Sequence, residues 1–119
     1  MKPIKNLKTL GTQGERRAIS YLQAHNFTII ATNQRVGRAE VDIIAKHESL
    51  LVFVEVKFRS SDAFGTPESF VTEAQAARYH EAATTYMEER GWSGPIRFDI
   101  IALQKRGSTT LLRHFEDAF

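Results

Sequence analysis

No cysteine occurs in the 119-residue chain, which excludes a disulfide framework, a thiolate nucleophile and a sulfur-ligated zinc or iron-sulfur centre. Long apolar runs are missing as well. The longest, Leu50-Leu51-Val52-Phe53-Val54, stops at Glu55, far short of a membrane span, and the start Met1-Lys2-Pro3-Ile4-Lys5 lacks the apolar stretch of a secretion signal. A cytoplasmic location is the expectation. Gly11-Thr12-Gln13-Gly14 is neither a Walker loop nor a dinucleotide fingerprint, so no nucleotide cofactor is expected. A Gly-x-Ser-x-Gly elbow is lacking, and His25, His47, His80 and His114 show no metal-ligand spacing.

What is present is a hydrophobic fraction of 42% and a charged fraction of 25%, the composition of one ordinary folded domain. Residues 1–119 read as that single domain, with residues 1–10 as a flexible basic arm. The net charge of +2 hides an uneven distribution. Residues 1–38 carry Lys2, Lys5, Lys8, Arg16, Arg17, Arg35 and Arg38 against Glu15, a balance of +6, whereas residues 39–119 carry nine basic and thirteen acidic groups, a balance of −4. A basic segment of this kind suits a polyanionic partner whose phosphates it can meet. A solvated tail with scattered surface arginines accounts for the same pattern equally well.

Periodicity supplies the elements. Ala18, Ile19 and Leu22 recur at helical spacing behind a Thr12 N-cap, which predicts a helix over 12–25. Strands are expected at 28–32, 41–45 and 50–56, the last two joined through Lys46-His47-Glu48-Ser49 as a hairpin. A second helix is expected over 72–90, closed by Gly91, followed by strands at 96–103 and 110–115. A helical crossover between the third and fourth strands requires those two to be parallel, so the sheet is mixed. The fold expected is α/β, a three-layer α/β/α sandwich.

Strand alternation sharpens the hairpin. With an even-numbered loop, Val41, Ile43, Ala45, Val52, Val54 and Val56 share one face, and Glu40, Asp42, Ile44, Lys46, Leu51, Phe53, Glu55 and Lys57 share the other. Asp42 and Glu55 then lie about 5–8 Å apart on adjacent strands. Two like charges on a half-buried sheet are costly unless a cation offsets them. Their spacing suits a shared divalent ion, and hard oxygen donors favour Mg²⁺ or Mn²⁺. Lys57, on the same face, can serve the attacking water and the charge of a phosphate. Glu55 and Lys57 also fit an ordinary surface ion pair.

Glu15 shares the face of Ile19 and Leu22, which points it toward the sheet, where it could complete the acidic cluster. Thr12-Gln13-Gly14-Glu15 is also a capping-box pattern, as is Thr72-Glu73-Ala74-Gln75, so Glu15 and Gln75 each have a purely local explanation.

Gly14-Glu15-Arg16-Arg17-Ala18, Asn33-Gln34-Arg35, Glu40-Val41-Asp42-Ile43-Ile44-Ala45, Leu51-Val52-Phe53-Val54-Glu55-Val56-Lys57-x-Arg59, Phe64-Gly65, Arg97-Phe98-Asp99-Ile100-Ile101-Ala102 and His114-Phe115-x-x-Ala118-Phe119 together resemble the YraN family of small bacterial proteins. That family is similar to archaeal Holliday-junction resolvases and the PD-(D/E)xK nuclease superfamily. The resemblance implies a restriction-endonuclease-like fold, with Asp42 and Glu55 as metal-binding acids, Lys57 as the catalytic lysine and Glu15 as the first-helix glutamate. Gln75 and Tyr79 resemble the Gln-x-x-x-Tyr element of one nuclease branch. Two positions depart from the pattern: Ala39 replaces a glycine before the acidic strand, and Gln75 stands where many relatives have lysine. Ala39 would be strained if its backbone needed a positive φ.

The function expected from residues and resemblance together is a Mg²⁺- or Mn²⁺-dependent endonuclease hydrolysing DNA phosphodiester bonds, with branched or repair-intermediate DNA as the substrate that the resolvase likeness suggests. Arg16, Arg17, Arg35, Arg38 and Arg59 would hold flanking phosphates without reading bases. A homodimer would suit symmetric cleavage of two strands. The competing expectation is a non-catalytic nucleic-acid-binding or adaptor protein that retains the nuclease fold.

Overall fold

The computed structural model describes residues 9–59 and 70–119. The expected basic arm and the Phe64-Gly65 motif lie outside these residues, except that Thr9 and Leu10 belong to the first helix. The chain runs α1 (Thr9–Ala24), β1 (Thr28–Val36), β2 (Ala39–His47), β3 (Leu50–Arg59), α2 (Glu73–Arg90), β4 (Ile96–Arg106) and β5 (Thr109–Phe115). The five strands form one mixed sheet in sequence order, with β3 and β4 parallel and every other pair antiparallel. The mixed α/β architecture is thus as the crossover required. Among the described residues no helix is long and apolar enough to cross a membrane.

α1 starts a turn earlier than Thr12, so Thr12 lies within the helix and Glu15 is not at its capping position. Buried Ala18 and Leu22 carry the packed face. α2 has clear ends. The Thr72 hydroxyl accepts the Gln75 N–H at 3.1 Å, and Gly91, at φ 67°, places its own N–H on the Met87 carbonyl. Its buried face is Tyr79, Ala82, Ala83 and Tyr86, the three- and four-residue recurrence of an amphipathic helix.

The β2–β3 hairpin closes through Glu48 and Ser49 alone, a loop shorter than the four residues expected but still even, so the register is the one anticipated. Ile43 faces Val54, Ile44 faces Phe53 and Ala45 faces Val52. Ile43, Ala45, Val52 and Val54 form one core with Ala18 and Leu22 of α1, while Ile44, Leu51 and Phe53 form a second with the buried face of α2. Each buried Ile, Val, Leu or Phe among them stabilises by roughly 1.5–3 kcal/mol. Val41 departs from strict alternation: it joins the α2-side core with Ile44 instead of the α1-side core with Ile43. The break falls at Asp42, whose side chain bonds to the neighbouring strand's backbone. Ala39 lies buried in β2 without a positive φ, which Gly37 takes instead at 59°, so the feared strain does not arise.

A buried charge anchors the far side of the sheet. Asp99 of β4 is fully buried and accepts two bonds from the Arg97 guanidinium at 2.8 Å, one from the Asp117 N–H at 3.0 Å, and pairs with His114 Nε2 at 2.7 Å. Burial by itself would raise its pKa, but these partners outweigh it and hold the carboxyl below the usual range. The Tyr21 hydroxyl meets the other nitrogen of His114 at 3.0 Å, tying α1 to the same network. The Ala118 N–H bonds the Phe98 carbonyl at 2.7 Å, and the Phe119 ring lies edge-on to Tyr79 at 5.4 Å.

Candidate metal centre and nucleic-acid surface

The paired β2–β3 ladder ends at Ile43 and Val54. Just beyond that point the two strands present Asp42 and Glu55, and the gap is closed by a side chain. The Asp42 Oδ2 accepts the Val56 N–H at 2.8 Å. A carboxylate so placed fixes its own rotamer and ties the strands together where their backbones stop pairing.

Glu55 is 6% exposed and its carboxylate is fully engaged. The Tyr79 hydroxyl donates to Oε1, Gln75 Nε2 donates to Oε2 at 3.2 Å, and Lys57 Nζ lies 3.1 Å from Oε2. Because Gln75 and Tyr79 are four residues apart on α2, one helix face delivers both donors. The Tyr79 hydroxyl also lies 3.4 Å from the Asp42 N–H, so one phenol joins the backbone of one acid to the carboxylate of the other. Burial raises the Tyr79 pKa, and the charges of Glu55 and Asp42 raise it further, so the phenol stays protonated as a donor.

Burial and neighbouring carboxylates govern the electrostatics of Asp42. Desolvation first, and then the charge of Glu55, push its carboxyl up to about 7, with Glu15 adding to the rise, while the Val56 N–H and Lys57 pull the other way. Glu15 is half-buried on α1, and its Oε1 accepts Asn33 Nδ2 at 3.0 Å. Glu15, Asp42, Glu55, Lys57 and Gln75 therefore belong to one neighbourhood. Gln75 reaches Glu55 from the N3 position of α2, where the capping box would have turned it back on its own helix. Two residues complete the group that reading by pattern left without a settled role. Tyr79 was visible only through a family likeness, and Asn33 only as part of a quoted string.

Hard oxygen donors and a mutual repulsion that a cation would relieve fit a divalent ion at Asp42 and Glu55. Among the described residues no three carboxylate or imidazole side chains gather closely enough to hold an ion unaided. Water or substrate oxygens would have to supply the remaining positions, as is usual for Mg²⁺.

The cationic residues are dispersed. Arg16 and Arg17 are exposed on α1, where Arg17 Nη2 lies 3.4 Å from the Thr110 carbonyl. Arg35 stands across from exposed Glu40 in the β1–β2 pairing. Arg38 is bound to Glu81 of α2 at 3.0 Å on the surface. Arg59, at the end of β3, sets its guanidinium 4.7 Å from the Phe70 ring centre. A cleft of about 230 Å³ beside α1 is lined by Gln13, Gly14, Arg17, Phe58, Leu103, Lys105 and Thr110. A smaller one of about 100 Å³ lies between Arg38, Ala39, Glu40, Gln75, Arg78 and Tyr79, adjoining the donors of Glu55.

Residues 14–103, the span that includes the helix glutamate, both acids and Lys57, match the uncharacterised protein family UPF0102, and the chain belongs to that family, the YraN family. Curated relatives carry the same family name. One from Christiangramia forsetii is 42% identical over 92% of this chain and 92% of its own. One from Flavobacterium psychrophilum is 43% identical over the same shares, and one from Geobacter metallireducens is 35% identical over 94% and 93%. Among solved structures, Pyrococcus furiosus SfsA in complex with Ca²⁺ is similar at 12% identity and a TM-score of 0.37, covering 88% of this chain and 63% of that one.

Proposed function

We propose that the protein is a metal-dependent phosphodiesterase that hydrolyses DNA. The observation that carries this reading is the gathering at one end of the hairpin of two carboxylates, a lysine bonded to one of them, and a second carboxyl that burial first and the charge of Glu55 next push up to about 7. The reading extends to the fold, as a restriction-endonuclease-like three-layer sandwich, which the separate α1-side and α2-side cores support.

Mg²⁺ or Mn²⁺ held by Asp42 and Glu55 would supply Lewis acidity to the scissile phosphate. The chain's own residues do the rest. Hydrolysis joins a water oxygen to phosphorus and breaks the bond to the leaving oxygen, with the water's proton passing through solvent and the leaving oxygen taking one up, so negative charge grows on the phosphate in between. The Lys57 ammonium, about a quarter exposed at its side chain, can meet that charge or order the water. Tyr79 and Gln75 hold the Glu55 carboxylate in a single orientation, and Val56 does the same for Asp42. Arg16, Arg17, Arg35, Arg38 and Arg59 would meet flanking phosphates, giving affinity without sequence preference. Branched or repair-intermediate DNA and a dimeric form belong to the same proposal.

The engagement of every Glu55 oxygen by protein donors favours a second reading, a DNA-binding adaptor in which the site is a structural ion-pair network. Cleavage assays separate the two. Branched, duplex and single-stranded DNA are incubated with the protein and Mg²⁺ or Mn²⁺. Cleavage that vanishes in Asp42→Ala and Lys57→Ala is expected. Failure to cleave any of them, or cleavage that survives both substitutions, overturns the catalytic reading, and calorimetric ion binding that Glu55→Ala abolishes distinguishes a metal centre from a bare network.

A further inference from the structure

Asn33 occupies a position that its strand does not require. It lies in the middle of β1 with φ 50°, in the left-handed region that side-chain-bearing residues seldom adopt and asparagine tolerates better than most. Its neighbours pair regularly, Thr32 with Ile43 and Gln34 with Val41, so Asn33 stands across from Asp42 on the adjacent strand. A local turn of this kind re-aims a side chain out of the pleat. The amide of Asn33 is directed at α1, where Nδ2 donates to Glu15 Oε1 at 3.0 Å.

Glu15 would not stay there unaided. Its charge repels Asp42, and an unanchored glutamate on a helix surface has three rotatable bonds through which to swing into water. The anchor is an amide and not a lysine or arginine. It donates a hydrogen bond to the carboxylate while leaving its negative charge uncancelled. We propose that Asn33 is a positioning residue of the metal centre: its left-handed backbone carries an uncharged donor to Glu15 and holds that carboxylate where its charge acts on Asp42, adding to the negative field an ion would meet without ligating it. The proposal rests on the metal-dependent reading above and adds to it a residue from the edge strand. Asn33 touches neither ion nor substrate and acts through Glu15.

Two substitutions at one position test it. Asn33→Gly keeps a backbone that accepts positive φ and removes the amide, whereas Asn33→Asp keeps the backbone preference and replaces the donor with a repelling acceptor. Binding of Mn²⁺ is measured by calorimetry beside the thermal midpoint. Asn33→Gly is expected to weaken Mn²⁺ affinity about 10-fold at an unchanged midpoint, Asn33→Asp to weaken it more, and Asn33→Gly combined with Glu15→Gln to be no worse than Glu15→Gln alone. Wild-type Mn²⁺ affinity in Asn33→Gly, or a loss that adds to that of Glu15→Gln, overturns the assignment while leaving the metal centre standing. A wild-type protein that binds no Mn²⁺ overturns both. Should Asn33→Gly fail to fold, Asn33→Asp alone decides: retained affinity there refutes the proposal.

Discussion

The Asp42 carboxylate accepts the backbone N–H of Val56 at 2.8 Å, one step past the last backbone pair of β2 and β3. The residue proposed as a cation ligand is thus also a rung of the sheet, and on that reading its two roles pull stability and chemistry in opposite directions.

Asp42→Asn separates them by pH. The Asp42 carboxyl titrates at about 7 in the folded chain against 3.8 for the ordinary group, so between those values the folded protein keeps a proton that the unfolded chain has lost. Stability therefore falls as pH rises through that window and levels off above it, by a few kcal/mol at about 1.4 kcal/mol per unit. Asparagine keeps an oxygen for the Val56 N–H and carries no charge. The variant is expected to melt above the wild type at pH 8, to lose that advantage at pH 4, and to bind no divalent ion; thermal melts across the range check this, and a variant less stable than the wild type at pH 8 contradicts it.

Lys57 sits 3.1 Å from the Glu55 carboxylate, where its ammonium supplies positive charge that an ion would otherwise contribute. Lys57→Met is expected to keep or tighten Mn²⁺ binding several-fold while reducing DNA cleavage at least 100-fold. Calorimetry and a cleavage assay on the same preparation read the two effects. Weaker ion binding in this variant would make Lys57 a structural support of Glu55 and not a participant in the reaction.

Asp99→Ala takes from Arg97 and His114 the fully buried carboxylate they share. Loss of one partner from a buried charge network costs about 3–5 kcal/mol, and a fall of that size in chemical unfolding is expected at pH 7. Because the Asp99 pKa is held below 3.8, its contribution is present above that value and fades as pH falls below it, so the deficit shrinks in acid. A deficit of the same size at pH 3 would show that the loss is one of packing.

Gly14 lets α1 lie close on the sheet. A Cβ built there meets Leu103 Cδ1 at 3.2 Å and Phe58 Cδ2 at 3.3 Å, so the branched side chain of Gly14→Val crowds both side chains and forces them, or the helix, to shift. A loss of about 1–3 kcal/mol is expected. Since α1 also carries Glu15, Mn²⁺ affinity should fall with it, which calorimetry can verify.

Much of this was legible from pattern alone because hydrophobic alternation and a parity rule act locally. The even loop at Glu48-Ser49 is enough to set Ile43 against Val54 and to bring Asp42 and Glu55 to the same end of the hairpin. The expected strand over 28–32 stopped short of Val36 because Asn33-Gln34-Arg35 are polar, as an edge strand allows, and composition does not distinguish a solvated edge from a loop. Glu15 and Gln75 stayed ambiguous for a different reason. A capping box is a contact within one helix, whereas their actual partners, Asn33 and Glu55, are brought near only by tertiary packing. Val41 shows the limit of alternation, which fails where a side chain enters the plane of the sheet.

The single parallel pairing, β3 with β4, has a kinetic corollary. The β2–β3 hairpin that brings Asp42 toward Glu55 is a local structure of the kind that closes in about 1–10 μs, whereas a parallel pair across a helical crossover must first close a long loop. α2 lies within that crossover, so the Tyr79 and Gln75 donors reach Glu55 only as the later event completes. On the proposed metal-binding reading, the hairpin's acids come together before their helix donors arrive, and Mn²⁺ added during refolding is expected to change the folding rate, which stopped-flow mixing with and without the ion checks.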